Sequence, residues 1–242
     1  MEVTDPADAL LHHGGPHVFV SDLAAPALAD DDYHHLSRAL RLRDGEALTL
    51  GDGRGSWRSA RFGPTPELAG PVRSVPTESP SICIGFALVK GSKPELVVQK
   101  LTELGVDRIV PFTAERSVVR WDDAKAERNL TRLRRVAREA AMQSHRAWLP
   151  SVEPVTSFGA LANVAGVVRA DMDGAPAGLA LSDGDDGVVI LIGPEGGWSD
   201  DERTAVPTAY RFGQHVMRAE TAAIATASLL VSMRMDVGNR PR

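Results

Sequence analysis

The chain has 242 residues, 43% of them hydrophobic and 24% charged, with a formal net charge of −5, which is the composition of a globular protein with one large or two modest domains. Cys83 is the single cysteine, so an intrachain disulfide is excluded and a reducing compartment fits. The longest apolar tract near the C-terminus, 222–231, is too short to span a bilayer and the N-terminus lacks a signal-peptide pattern, so we expect a cytoplasmic protein with no membrane partner.

The first residues, 1–16, show no hydrophobic periodicity and contain Pro and Gly, so we expect a disordered leader. Three histidines of this region, His12, His13 and His17, lack the spacing and the acidic or thiol partners of a metal site. We therefore expect no metal.

Short segments dominate between residues 17 and 75. The runs 17–20, 47–50 and 57–62 predict strands separated by turns that contain Asp and Gly, and one helix is predicted over 32–42. Together these segments predict a small β-rich barrel domain over 17–75.

Five prolines between residues 64 and 80 indicate a stiff connection to a second domain, 81–242. Beyond them, predicted strands and helices alternate, which is typical of βαβ crossovers and a mainly parallel sheet. The predicted strands are 82–89, 108–112, 164–170 and 187–192. The predicted helices are 94–104, 124–144 and 221–235, and Gly105 is expected to end the first of them in the left-handed conformation.

Positive charge is concentrated in two parts of the chain although the total is negative. The stretch 38–61 has six arginines against three acidic residues, and 125–146 has seven basic residues against two acidic ones. Localised basic surface suits phosphate binding, whereas an arginine-rich helix face is also commonly just solvated. Both interpretations stay open from composition alone.

Two glycine-containing segments fail as nucleotide-binding motifs. Five residues separate Gly85 from Gly91, and a serine precedes Lys93, whereas a P-loop needs four residues and an adjacent lysine. The segment 51–56 ends in serine where the dinucleotide fingerprint has glycine, and a hairpin turn explains it. Nucleoside triphosphates and nicotinamide cofactors are therefore disfavoured.

The most informative segment is the glycine loop, residues 193–198 (GPEGGW), which follows the apolar run 187–192. Ligands of open α/β sheets bind at the carboxyl ends of the strands, where this loop lies. The same residues are consistent with a simple strand-to-helix turn in which Ser199 and Glu202 form a capping box. A second polar cluster, 218–221 (RAET), precedes a small-residue helix and favours a ligand loop, although Glu220 and Thr221 are equally consistent with the start of that helix.

Six motifs in this order are similar to those of the RsmE family, whose members are S-adenosylmethionine-dependent methyltransferases of uridine N3 in 16S ribosomal RNA. They are 90–93 (KGSK), 99–106 (QKLTELGV), 111–117 (PFTAERS), 143–146 (QSHR), 193–198 (GPEGGW) and 217–222 (MRAETA). Residues 34–45 (HHLSRALRLRDG) resemble the PUA-like RNA-binding domain of that family. The resemblance thus runs from about residue 17 to about residue 235, and its specificity comes from the ordered set.

This resemblance implies an α/β SPOUT-type methyltransferase domain with a trefoil knot, which forms a homodimer, and an N-terminal PUA-like β-barrel domain. By similarity, S-adenosyl-L-methionine would be held by three loops, around Ala170 and Asp171, at 193–197, and at 214–221. The implied cofactor-binding residues are Ala170, Gly193, Pro194, Glu195, Gly196, Gly197, Val216, Met217, Arg218, Thr221 and Ala222. The chain departs from the family pattern in the Asp-rich segment of the first loop and in His17, where members often have an arginine.

The implied partners are 16S ribosomal RNA or the small ribosomal subunit, together with a second copy of the chain. The residues assigned to RNA contacts are Arg38, Arg41, Arg43, Arg116 and Arg146.

Methyl transfer from a sulfonium requires mainly alignment of the acceptor, carbon and sulfur. The uracil N3 proton must leave, the base must be exposed, and negative charge develops on the carbonyl oxygens. We expect Arg218 to stabilise that charge and Glu220 to act as the base or to orient Arg218; a purely structural pair is the alternative. Two other functions stay open, namely RNA binding without turnover and methylation of ribose 2'-hydroxyls.

Overall fold

The computed structural model describes residues 5–177 and 187–238, which fold as two compact units. The first unit comprises the chain through Thr77 together with Arg138–Leu149, and the second comprises Glu78–Ala137 and the chain from Pro150 onward. One long helix contributes to both units, because its residues through Ala137 belong to the second and those from Arg138 to the first.

Besides the end of that long helix, the first unit contains two helices and one five-stranded sheet among its described residues. Its elements are α1 (Pro6–Leu11), β1 (His17–Phe19), α2 (Asp30–His34), a π-helical continuation of α2 (His35–Ala39), β2 (Ala47–Gly51), β3 (Ser56–Arg61), β4 (Glu67–Leu68) and β5 (Arg73–Ser74). The strand order is β1-β2-β3-β4, with β5 also pairing with β3, and only the β1–β2 pair is parallel. The three predicted strands and the predicted helix are present here.

Helix α1 lies where a disordered leader was predicted, and that prediction is wrong for residues 6–11. Leu10 is 1% exposed and packs with Trp57 and Ala147 in a small apolar cluster. These partners are far away in sequence, so local composition could not reveal the burial that holds the helix.

The second unit is built on a parallel sheet. Its elements are β6 (Ile82–Ala87), α3 (Lys93–Leu104), β7 (Arg108–Thr113), α4 (Asp123–Gln143), β8 (Ser151–Val152), β9 (Thr156–Ser157), α5 (Phe158–Ala162), β10 (Val167–Pro176), β11 (Val188–Ile192), α6 (Asp200–Ala205), β12 (Ala209–Arg211) and α7 (Ala219–Gly238). The strand order is β12-β10-β11-β6-β7-β8, with β9 also pairing with β7, and every pair is parallel. The predicted alternation of strands and helices is therefore confirmed.

The two faces of this sheet bury two separate cores, because successive strand residues point to opposite sides. Ile190 and Ile192 of β11 pack with α3, α4 and α7, whereas Val189 and Leu191 pack with α5 and the region of α6. The short strands β8, β9 and β12 and helix α5 were not predicted, since elements of two to five residues show no periodicity.

Local signals fix the ends of the elements that frame the site. Helix α3 has Pro94 in its first turn and ends at Gly105, whose φ of 102° is left-handed as predicted. Ser199 and Glu202 form the predicted capping box at the start of α6. Cys83 is buried on β6, and burial raises the pKa of its thiol to about 11, which fits a structural role.

Candidate active site

A pocket lies in the second unit at the carboxyl end of β11, beside the middle of β10 and the start of α7. From β10, where its pairing with β11 ends at Ala170, the pocket is lined by Ala170, Asp171 and Met172. From the end of β11 and the glycine loop it is lined by Ile192, Gly193, Pro194, Glu195, Gly197 and Trp198. From β12 onward it is lined by Arg211, Phe212, Val216, Met217, Ala219, Ala222 and Thr226. The structure thus brings together the three segments that the sequence resemblance assigned to one cofactor site.

Most of the predicted cofactor residues line this pocket. They are Ala170, Gly193, Pro194, Glu195, Gly197, Val216, Met217 and Ala222. Gly196, Arg218 and Thr221 do not line it, and all three are exposed. Gly196 borders Arg116, since a Cβ on this glycine would lie 3.1 Å from Cβ of Arg116. The glycine loop both forms a pocket wall and leads directly into the capping box of α6, so its two interpretations are compatible.

Trp198 anchors the glycine loop to the first pocket segment. Its indole Nε1 donates a hydrogen bond of 2.9 Å to the carbonyl oxygen of Ala170, and its ring stacks on Phe112 with centroids 6.2 Å apart. A Cβ on Gly193 would lie 2.8 Å from the indole, so this position requires glycine.

Asp171 is held by two arginines and is only 7% exposed at its side chain. Arg169 forms an ion pair with Asp171. Nη1 of Arg203 lies 2.6 Å from Oδ2 of Asp171 and 3.1 Å from Oδ2 of Asp173. Arg169 in turn donates from Nε to the Val206 carbonyl at 2.7 Å. The Asp-rich first loop is thus fixed by its own ion pairs, which gives this departure from the family pattern a structural role.

Lys93, at the start of α3, joins two of the predicted site residues. Its Nζ lies 3.2 Å from Oε1 of Glu220 and 3.6 Å from Oε1 of Glu195. Sequence reasoning gave Lys93 no role, although it lies in the motif 90–93 and a lysine in the first turn of a helix opposes the helix dipole. That unfavourable position was the signal that could have identified it.

Glu220 is mostly buried, and its surroundings favour the charged form of its carboxyl. Desolvation acts to raise the pKa of its carboxyl, but hydrogen bonds from its own backbone amide and from Lys93, with the charges of Lys93 and Arg218, lower the pKa overall. Its side chain is 12% exposed, and Oε2 is buried without a hydrogen-bond partner among the described residues. A carboxylate stabilised in this way is a weak proton acceptor.

The residues assigned to RNA contacts lie in both units. Arg38 and Arg43 are exposed in the first unit, as is Arg41, whose φ of 56° is left-handed. Arg146 is only partly exposed, and its backbone amide donates to Ala141 at the end of α4. In the second unit Arg116 is exposed, and its Nη1 lies 3.4 Å from the carbonyl oxygen of Gly196. Arg116 therefore borders the glycine loop.

The pocket's chemistry fits a nucleoside-containing cofactor. Ile192, Phe212 and Met217 offer apolar surface, while Gly193 and Gly197 leave backbone amides and carbonyls accessible. Thr226 also lines the pocket, and its buried hydroxyl has no hydrogen-bond partner among the described residues. Over the same part of the chain no group of three or more His, Cys, Asp or Glu is arranged to hold a metal ion.

Comparison with known proteins gives the family. A family model described as an RNA methyltransferase domain matches residues 77–231, and one described as an RNA methyltransferase PUA domain matches residues 28–63. Ribosomal RNA small subunit methyltransferase E (RsmE) of Mycobacterium bovis is 34% identical over 226 residues, which cover 84% of each chain. The chain belongs to the RsmE family.

Solved structures agree with this family assignment. A putative methyltransferase of Legionella pneumophila in complex with the cofactor SAM has a TM-score of 0.80 at 26% identity, covering 90% of this chain and 97% of the other. The RsmE of Neisseria gonorrhoeae bound to S-adenosyl methionine has a TM-score of 0.78 at 26% identity, covering 90% and 98%. The predicted α/β methyltransferase domain with a PUA domain is thereby confirmed. Within the described residues no helix is both long and apolar enough to cross a bilayer.

Proposed function

We propose that this protein is an S-adenosylmethionine-dependent methyltransferase that methylates N3 of one specific uridine in 16S ribosomal RNA of the small subunit. The observation that carries the proposal is the pocket at the end of β11 and the middle of β10, which is lined by three segments that are separated in sequence. The solved relatives from Legionella pneumophila and Neisseria gonorrhoeae both hold the same cofactor.

S-adenosylmethionine would supply a methyl group that its sulfonium already activates. Ile192, Phe212 and Met217 would pack against its apolar parts, and the backbone at Gly193 and Gly197 would approach its polar edges. The unpaired hydroxyl of Thr226 would gain a hydrogen-bond partner. The fixed ion pairs of Asp171 and the hydrogen bond of Trp198 would keep these walls in place before binding.

Arg218 is the candidate for stabilising charge on the uracil oxygens. It is exposed immediately before α7, so its guanidinium is open to an incoming base or phosphate. The lowered pKa of the Glu220 carboxyl argues against this group as the general base. It supports the alternative role, in which the carboxylate orients Arg218. Its hydrogen-bonded partner is Lys93, and Arg218 acts on it through charge.

RNA binding would use both units. Arg38, Arg41 and Arg43 would contact phosphates from the PUA-like domain, which we assign to 17–75, and Arg116 would contact RNA beside the glycine loop. Arg146, which packs with the first unit, remains a further candidate. We assign the catalytic domain to 81–242, and the proposal includes its trefoil knot, a homodimer and a cytoplasmic location.

The test is transfer of a labelled methyl group from S-adenosylmethionine to small-subunit RNA by the purified protein. Large-subunit RNA serves as the matched control substrate. The proposal requires label in the small-subunit RNA alone, and a protein that binds both RNAs and labels neither would instead be a binding protein without turnover.

A further inference from the structure

We propose that Lys93 is the positioning residue of this site, an ionic clamp that holds the glycine loop against the start of α7 and so preforms the cofactor pocket. The inference rests on the proposed function, because the pocket is taken to be the cofactor site. It assigns a role to the motif 90–93, which the cofactor, catalytic and RNA assignments leave without one.

Three charged side chains from three different elements meet at the clamp. Lys93 comes from the first turn of α3, Glu195 from the glycine loop, and Glu220 from the first turn of α7. Glu195 itself lines the pocket, and Ala219 and Ala222 line it on either side of Glu220. The ammonium of Lys93 therefore bridges two pocket walls that have no direct chain connection.

The N-terminal end of helix α3 does not by itself favour a lysine at position 93. A cation in the first turn faces the positive end of the helix dipole, and Ser92, the residue before it, makes no side-chain cap hydrogen bond. Two carboxylates within 3.6 Å offset this repulsion. The lysine is thus stabilised by the pocket walls that it joins.

The two arms of the clamp differ in strength. Glu220 is 12% exposed at its side chain and Glu195 is 49% exposed, so solvent screens the Glu195 arm much more. Without the ammonium, two neighbouring carboxylates would face each other across the gap, and their repulsion would push the walls apart. Removing Lys93 should therefore do more harm than removing either carboxylate.

This asymmetry allows a sharp test by calorimetric titration of S-adenosylmethionine into the folded variants. We expect Lys93→Met to raise the cofactor Kd at least about tenfold and Lys93→Arg to stay within about threefold of wild type. The double variant Lys93→Met/Glu220→Gln should bind more tightly than Lys93→Met alone, because it removes the carboxylate repulsion. Lys100→Met is the matched control, since Lys100 lies on the same helix and pairs with Glu103, and its Kd should not change.

A kinetic measurement separates clamping from direct chemistry. At saturating cofactor, Lys93→Met should regain most of the turnover that it loses at low cofactor, and any remaining defect should be no larger than that of Glu220→Gln, because the lysine acts through the carboxylates that it pairs with. A large turnover defect that saturation does not repair would overturn the positioning role.

The results separate the two proposals. Wild-type protein that does not bind S-adenosylmethionine overturns the proposed function, whereas wild-type binding with an unchanged Kd for Lys93→Met overturns only the clamp. The clamp is also overturned if the loss of cofactor affinity in Lys93→Met/Glu220→Gln equals the sum of the losses in the two single variants. If Lys93→Met does not fold, Glu220→Gln and Glu195→Gln test the two ion pairs of the clamp separately. Both variants must weaken cofactor binding, and Glu220→Gln must weaken it more. Equal effects, or no effect, would overturn the clamp.

Discussion

The indole Nε1 of Trp198 donates a hydrogen bond of 2.9 Å to the carbonyl oxygen of Ala170. This bond joins the glycine loop to the middle of β10, and the two pocket walls come from adjacent parallel strands. The tryptophan is 4% exposed, so the bond forms in a largely water-free setting where losing it leaves a buried carbonyl unpaired.

The first prediction concerns Gly193→Ala. A Cβ there would lie 2.8 Å from the Trp198 ring, so the ring must move and its hydrogen bond to Ala170 must weaken. We expect the Kd for S-adenosylmethionine to rise at least about tenfold, measured by calorimetry, with a shift in tryptophan fluorescence. Gly159→Ala is the control, because a Cβ at that position would meet nothing within 4 Å, and unchanged affinity in Gly193→Ala would remove the loop from the cofactor site.

The second prediction separates catalysis from cofactor binding at Arg218. Its guanidinium is exposed and does not line the pocket, so Arg218→Ala should leave cofactor affinity intact while single-turnover methylation slows by about a hundredfold. Glu220→Gln, measured in the same assay, should slow the reaction but leave the shape of its pH profile unchanged, since an orienting carboxylate is not the base. Arg120→Ala, an exposed arginine with no assigned role, is the control. Near-wild-type rates in both variants would take Arg218 and Glu220 out of catalysis.

The third prediction is that Arg41→Gly, in the first unit, weakens RNA binding without lowering stability. Arg41 has a φ of 56°, a conformation that costs a non-glycine residue about 1 kcal/mol. Arg41→Gly should therefore unfold at an equal or higher denaturant concentration, yet bind RNA more weakly, with a salt slope smaller by about 0.7–0.9.

Arg38→Gly is the matched comparison, because Arg38 lies in the helical segment His35–Ala39. Arg38→Gly should reduce the salt slope of RNA binding by the same amount. It should also lower the free energy of unfolding by about 1 kcal/mol, since glycine weakens a helix. Unchanged RNA binding by both variants would contradict the assignment of this segment to RNA.

The fourth prediction concerns His17, which is 3% exposed and lies 2.8 Å from the Thr49 hydroxyl. Burial, then the nearby His145, lowers the pKa of His17 to about 3, against a partly opposing backbone hydrogen bond at Arg146. Between pH 6.5 and 3 the unfolded state binds a proton that the folded state does not, so this group's contribution to stability rises with pH in that window and is constant above it.

The measurement is the free energy of unfolding at pH 5 and pH 7.5. Wild type should lose roughly 2 kcal/mol more than His17→Gln on going to pH 5. Parallel curves for wild type and His17→Gln would show that His17 is not held neutral in the folded protein.

Long or strongly patterned features were predictable from sequence. The buried strand Val188–Ile192 and the helix Lys93–Leu104 follow from a β-branched run and from Pro and Gly at the two ends of the helix. The glycine loop and the segment before α7 were identified by their motifs, and most of their predicted residues line one pocket.

The remaining features depend on contacts between distant residues. Helix α1 forms in the predicted leader because Leu10 reaches Trp57 and Ala147, and no local pattern encodes that burial. Gly196 does not line the pocket and instead borders Arg116, which is 80 positions away in sequence. The pairing of Lys93 could not be predicted, because its partners, Glu195 and Glu220, lie in other elements.

The most direct test of the central claim is mass spectrometry of nucleosides from small-subunit RNA incubated with the protein and S-adenosylmethionine. When the glycosidic bond breaks, a methyl group on N3 stays with the base, whereas a ribose methyl group stays with the sugar, so the two product nucleosides give different base fragments. The account predicts one 3-methyluridine per RNA molecule. A 2'-O-methyl nucleoside, or no modified uridine from protein that binds the cofactor, would contradict it.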